Sequence, residues 1–258
     1  MDLQLQQRNI IVSGASSGLG NAICIALLEE GANVIGIARS KEKLEEIKQR
    51  YPEQFLPLAL DITQPESIER ILETTNHLNI YGILFNAGGP PAKTIAETAM
   101  EDWDHAYKKV MRWKIDLTKQ MLPALEKQGE GRLIYIESAS VKQPLENLVL
   151  SNSFRVAMVG FIKTLSSEMA GKGLTFNVLA PGSHQTAAIE RTIEKKMEQT
   201  GEKREDVIKK LAEQNTVGQL GDASDFASLA CWLFSPHSAF INGQTISVDG
   251  GMVKGIMG

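Results

Sequence analysis

Two groups of residues in this chain have the types and spacing for chemistry. The first is Ser13-Gly14-Ala15-Ser16-Ser17-Gly18-Leu19-Gly20, with glycines in the order G-x-x-x-G-x-G. In such a loop Gly14 permits a tight turn, Gly18 lets the backbone approach a ligand, and Gly20 lets a following helix pack closely. Ser16, Ser17 and Leu19 then offer N–H groups at a helix N-terminus, where the dipole favours an anion such as a pyrophosphate. The second group is Ser138, Lys142, Ser151, Asn152, Arg155 and His184. Their hydroxyls, ammonium, amide, guanidinium and imidazole can hold a developing oxyanion or move a proton.

A glycine pattern means little until the elements around it are known. Short β-branched or continuously apolar runs at Asn9–Ser13, Asn33–Ile37, Phe55–Leu60, Gly82–Phe85, Arg132–Glu137, Thr175–Leu179 and Gln244–Val248 predict strands buried on both faces. Helical patterns separate them at Leu19–Glu30, Lys41–Arg50, Pro65–His77, Glu101–Lys127, Ser151–Gly171 and Ala223–Phe234. Strand-helix alternation of this kind predicts an α/β Rossmann-type fold, a doubly wound parallel sheet of seven strands with helices on both faces. The glycine loop then lies between strand 1 and helix 1, where a phosphate site belongs. Residues 1–258 are expected to form a single dinucleotide-binding domain. Ser183 to Thr216 is charged and helical in period, with no strand after it. This insertion is expected to be a helical lid over the mouth of the sheet.

Composition narrows the partners. A formal net charge of −4, with 43% apolar and 22% charged residues, gives no reason to expect nucleic acid or an anionic membrane. The longest apolar run, Phe226 to Phe234, is too short to span a bilayer. The polar start Met1 to Gln7 is not a signal peptide. Cys24 and Cys231 sit in apolar helical patterns without metal-ligand spacing and read as reduced core residues. No metal is expected, and the location expected is the cytoplasm.

The glycine loop resembles the T-G-x-x-x-G-x-G fingerprint of the short-chain dehydrogenase/reductases, with Ser13 in place of Thr. Further segments match in order. Asp61, with Ile62 beside it, resembles the Asp that contacts the adenine ring. Asn86-Ala87-Gly88 resembles the family's N-A-G, and Pro181-Gly182 its turn beside the nicotinamide. Asn242-Gly243-Gln244 through Val248-Asp249-Gly250-Gly251 resembles its C-terminal strand. The resemblance covers nearly the whole chain and implies a nicotinamide cofactor. NAD enzymes place an acid after strand 2 to bind the ribose 2′-hydroxyl. Here Arg39 and Ser40 follow Ala38. Arg39 can pair with a 2′-phosphate and Ser40 can add a hydrogen bond, so NADPH/NADP is expected over NAD.

The main branch of the family reduces carbonyls with Asn, Ser, Tyr and Lys. Ser138 fits the serine. Where the tyrosine belongs stands Ser151, where the lysine belongs stands Arg155, and the Asn position falls near Val110. A serine hydroxyl is a far weaker acid than a tyrosine, and Arg155 stays charged near neutral pH. The chain therefore resembles divergent β-ketoacyl-carrier-protein-reductase-like members with a degenerate tetrad, some of which reduce enones by conjugate addition. Hydride transfer to a β-carbon needs donors at an enolate oxygen. Candidates are Ser138, Lys142, Asn147, Asn152 and His184, with Arg155 holding the cofactor ribose.

Three functions stay open on the sequence. One is an NADPH-dependent oxidoreductase that transfers hydride to a small carbonyl or enone by a non-standard mechanism. Another is a non-catalytic NADP-binding regulatory or interaction protein, and the third is a lyase or isomerase on the same scaffold. The family also implies a homo-oligomer, a dimer or tetramer. Val110, Ile115, Leu117, Met121, Val156, Val159 and Phe161 offer faces for that contact or for packing on the chain's own sheet.

Overall fold

Strands β4 (Ile80–Phe85) and β5 (Gly131–Ile136) are buried at every position, so they need cover on both sides. The computed structural model, which describes residues 1–256, supplies it. With β1 (Asn9–Ser13), β2 (Asn33–Ala38), β3 (Phe55–Ala59), β6 (Leu174–Pro181) and β7 (Thr245–Val248), they form one sheet in the order β3-β2-β1-β4-β5-β6-β7. Every strand pairing in it is parallel. The chain winds outward from β1 to β3, then returns to β4 and winds the other way. The strand order thus reverses between β1 and β4, the place where such sheets open a ligand crevice at their C-terminal edge.

Alternation along each strand divides the core in two. Ile10 and Val12 of β1 point to one layer with α1 (Gly18–Glu29), α2 (Lys41–Arg50) and α9 (Ala223–Phe234). Ile11, between them, points to the other layer with α3 (Pro65–Thr75), α5 (Trp113–Gln128) and α6 (Val149–Glu168). Cys24 and Cys231 are free and buried in the first layer. Burial pushes both thiols up to about 12.

The helix expected over Glu101–Lys127 is broken. It runs as α4 (Met100–Tyr107), a π-helical turn at Lys108–Arg112 and then α5. The Trp113 indole N–H donates to the Lys109 carbonyl at 2.9 Å, a side-chain partner for backbone in the widened turn. Apolar periodicity alone does not reveal such a turn. Several faces offered for assembly are spent inside the chain. Val110, Leu117 and Met121 are buried, and Ile115, Val159 and Phe161 are packed against the second core layer. Only Val156 of that set is exposed.

The insertion at Ser183–Thr216 is a helical pair, α7 (Ala187–Thr200) and α8 (Arg204–Ala212), turned at Gly201 with φ +70°. It has its own small apolar cluster of Ile193, Val207, Leu211 and Leu220. Both its ends are tied to the body. His184 bridges Gly221 in parallel pairing, and the Thr216 N–H donates to the Gly250 carbonyl at 2.8 Å. Among the described residues, no helix is long and apolar enough to cross a membrane.

Candidate active site

The crevice has two halves, one over β1–β3 and one over β4–β6. In the first, Gly14 and Gly18 take φ of +72° and +57°, a left-handed backbone that side chains resist. A Cβ on Gly20 would stand 2.4 Å from the Gly14 carbonyl oxygen and 2.5 Å from Asn86 Nδ2. Gly20 is therefore set by close approach. The Gly14 and Ala15 N–H groups donate back to Ile37 at 2.8 and 3.1 Å, which pins the loop to β2. Ser17 takes the N-cap position of α1, yet its side chain makes no cap hydrogen bond. Its hydroxyl and the neighbouring Ser16 and Leu19 stand at the helix N-terminus, a cradle fit for phosphate oxygens.

Arg39 is exposed directly after β2. Ser40 is already used as the N-cap of α2, accepting from the Lys43 N–H at 3.4 Å and donating to Glu42 at 3.1 Å. Asp61 Oδ1 accepts from the Thr63 N–H at 3.1 Å and the Thr63 hydroxyl at 2.8 Å. Partial burial raises its pKa, but those hydrogen bonds and the charges of Arg39 and Lys109 outweigh it and hold Asp61 below its usual range. Ile62 beside it is buried.

Ser13 joins the halves. Its buried hydroxyl donates toward the Leu84 and Asn86 carbonyls, both at 3.0 Å, and accepts the Asn86 N–H at 2.8 Å. Serine does this in the position where the family carries threonine. Asn86, Ala87 and Gly88 then run across the top of β4, and a Cβ on Gly88 would meet open space. Gly182 lies so close to β7 that a Cβ would come within 2.8 Å of Asp249 Cα, and its N–H donates to Val248 at 3.0 Å. With Pro181 ending β6, this turn closes the far side of the crevice.

Ser138 caps a short 3₁₀ turn, Ala139–Val141, through an Oγ that accepts the Ser140 N–H at 3.1 Å. Lys142 closes that turn, its N–H donating to the Ala139 carbonyl at 3.0 Å. Asn152 spends its amide on the loop below, donating to the Leu145 carbonyl at 2.8 Å. That loop includes Asn147, at φ +56°. His184 is buried edge-on against Phe226 at 5.1 Å, with Nδ1 3.2 Å from the Gly182 carbonyl. These are the contacts of a ring that seats the start of the helical pair. Ser138 and Lys142 thus share one turn, Asn152 braces the loop that follows it at Leu145, and His184 lies at the root of the insertion.

Sequence reasoning singled out Arg155 but missed the two more deeply buried charges beside it, Glu137 and Lys114. Glu137, the residue before Ser138, has a side chain with 0% exposure. Lys114 of α5 places Nζ 2.5 Å from its Oε1, and Arg155 of α6 places Nη1 3.1 Å from its Oε2. Arg155 Nη1 also donates to the Glu137 carbonyl at 2.8 Å, and its Nε donates to Ser151 Oγ at 3.0 Å. Among the described residues, Ser151 has no acceptor for its own proton, and Arg155 Nη2 has no hydrogen-bond partner. Nη2 lies 3.2 Å from where a Cβ on Gly89 would stand. A lysine in an apolar helix pattern was the available signal, since it is buried only with a partner. The partner, Glu137, is 23 positions away.

The sheet order, the glycine cradle and the open floor at Gly88 define a dinucleotide-binding protein of the Rossmann type. Residues 14–253 match the family model described as enoyl-(acyl carrier protein) reductase. The chain is 32% identical to the 3-oxoacyl-(acyl-carrier-protein) reductase FabG of Vibrio cholerae over 97% of this chain and 99% of that protein. It superposes on L-sorbose reductase from Gluconobacter frateurii, complexed with NADPH and L-sorbose, with a TM-score of 0.93 at 25% identity, covering 99% of this chain and 100% of that one. YwfH, an NADPH-dependent reductase involved in bacilysin biosynthesis, gives a TM-score of 0.91 at 25% identity, covering 97% and 100%. The chain belongs to the short-chain dehydrogenase/reductase family and is an oxidoreductase of that type.

Proposed function

We propose that this protein is an NADPH-dependent reductase that sends hydride to a small enone or carbonyl compound and holds the resulting oxyanion with hydrogen bonds in place of a tyrosine acid. The observation that carries this reading is the Arg155–Ser151 pair. Arg155 Nε donates to Ser151 Oγ, which leaves the Ser151 O–H free to donate elsewhere.

The cofactor would lie along the C-terminal edge of the sheet. Gly14, Ser16, Ser17, Gly18, Leu19 and Gly20 would hold its pyrophosphate, with Asp61 and Ile62 at the adenine. Arg39 would take the 2′-phosphate, joined by Ser40 once its hydroxyl turns from Glu42. Asn86, Ala87, Gly88, Arg155, Pro181 and Gly182 would line the nicotinamide half. NADPH is preferred over NADH because an exposed Arg39, and no carboxylate, directly follows β2. The NADPH complexes among similar structures support the same choice.

When bound, NADPH supplies the hydride. The chain's own residues then have three tasks. Ser138 and the Ser151 O–H direct donors at the substrate oxygen, and Lys142 adds charge from the adjoining turn. Asn152 fixes the loop that shapes this face. The α7–α8 pair, rooted at His184, acts as the lid over the substrate. Its start faces the glycine loop, where a Cβ on Gly18 would stand 3.7 Å from Thr186 Cβ. Without a tyrosine acid, protonation at carbon falls to water, which favours an enone over a simple ketone. The reading includes assembly into a homo-oligomer, with exposed Val156 of α6 as a contact.

The test is a fluorescence titration with NADPH and NADH, followed by turnover of the bound cofactor on matched enones and ketones. Selective NADPH binding with oxidation by enones supports the proposal. Oxidation by ketones alone overturns the conjugate mechanism, and binding of neither nucleotide overturns the cofactor assignment.

A further inference from the structure

The reductase reading gives no task to Lys114 and Glu137, although both are buried and reach the site through Arg155. Taking three charges out of water is costly. An apolar trio of similar volume is often equally stable or more so, so stability alone does not account for the cluster. Its geometry does. The two oxygens of Glu137 are divided, with Lys114 on Oε1 and Arg155 Nη1 on Oε2. A guanidinium facing a free carboxylate pairs with both oxygens through both of its terminal nitrogens. Lys114 blocks that pairing by occupying Oε1. Arg155 is left fixed through Nη1 and Nε only, and Nη2 is turned toward Gly89 and the loop after β4.

We propose that Lys114 and Glu137 are positioning residues that hold Arg155 in a single-nitrogen grip, so that its Nη2 is presented to the nicotinamide half of the bound cofactor. The inference rests on the cofactor assignment made above. The groups facing Lys114 come from two other elements. Burial, the largest influence, lowers its pKa, while Glu137 just after β5 favours its charge and Arg155 on α6 opposes it. Thr118 accompanies it on its own helix, donating to the Lys114 carbonyl at 2.6 Å and meeting the Tyr135 hydroxyl at 2.8 Å.

The test compares two ligands of the purified full chain. NADPH spans both halves of the crevice, whereas 2′,5′-ADP carries only the adenine half with its 2′-phosphate. Lys114→Met leaves Glu137 and Arg155 as a balanced pair and should fold. It is expected to weaken NADPH about tenfold, the loss of one charged hydrogen bond, and to leave 2′,5′-ADP within about twofold. Arg155→Ala should give a loss of the same kind, and adding Lys114→Met together with Glu137→Gln to it, which leaves no unpaired buried charge, should change nothing further, because both residues act only through Arg155. A NADPH affinity unchanged in Lys114→Met, equal losses for both ligands, or full additivity with Arg155→Ala would each overturn the inference. Wild-type protein that binds neither ligand overturns the cofactor assignment itself, and this inference with it.

Discussion

The two halves of the crevice are built by different means. The half over β1–β3 is mostly backbone. Its cradle consists of glycine turns, a helix N-terminus and N–H groups pinned to β2, with Arg39 as an exposed charge at the rim. The half over β4–β6 depends on long side chains. Lys114, Glu137 and Arg155 come from α5, the end of β5 and α6 and meet with almost no exposure. A backbone cradle allows little change without losing its ligand. A side-chain cluster can be exchanged as a set.

The contrast is tested most severely at Glu137. Glu137→Ala leaves two buried cations facing each other, so chemical unfolding should show a loss of about 3–5 kcal/mol. A loss below about 1 kcal/mol would mean that the reacting half is not organised around this carboxylate. Next in size is Gly20→Ala. Alanine normally favours a helix, but here its Cβ would meet the Gly14 carbonyl oxygen at 2.4 Å. We expect about 1–3 kcal/mol of destabilisation together with weakened NADPH binding. A stabilised variant with full binding would show that the cradle is not a close-packed backbone device.

Arg39→Glu should act on ligand choice and leave stability nearly unchanged. NADPH titrations should weaken by about tenfold or more relative to NADH, because a carboxylate repels the 2′-phosphate and can accept from a 2′-hydroxyl. An unchanged ratio would remove Arg39 from the site.

The smallest effect is a pH slope. Burial holds the Lys114 pKa below 10.5 in the folded chain. Between that lowered value and 10.5 the unfolded chain binds more protons, so Lys114 makes wild-type stability rise with pH across this window. Lys114→Met lacks that gain. The wild-type-minus-variant difference in unfolding free energy should therefore move in favour of wild type as pH approaches 10.5. The raised pKa values of Cys24, Cys231 and Tyr135 act the other way, with stability lost as pH rises, but they occur in both proteins and cancel. A flat difference would mean that Lys114 titrates as it does in the unfolded chain.

The sequence alone determined the parallel sheet, the layers that cover it and the glycine turn between β1 and α1. Strand and helix periodicity is a local property, and a glycine loop derives its function from neighbours within a few positions. The bounds of β1, α2 and α9 agree with the pattern to the residue. Ser151 and Arg155 were equally legible as positions, because they are found by counting from Ser138. The π-helical turn before Lys114 was not legible, since one widened turn leaves the apolar rhythm of Glu101–Lys127 almost unchanged. Only the tertiary structure decided which charges share the site. Lys114, Glu137 and Arg155 are brought together by the packing of α5 and α6 on β5. Their meaning lies in a division of hydrogen bonds across 23 and 18 positions of chain. Periodicity can mark each residue as facing inward. The partner of a buried charge is set by three-dimensional register, which no local pattern encodes.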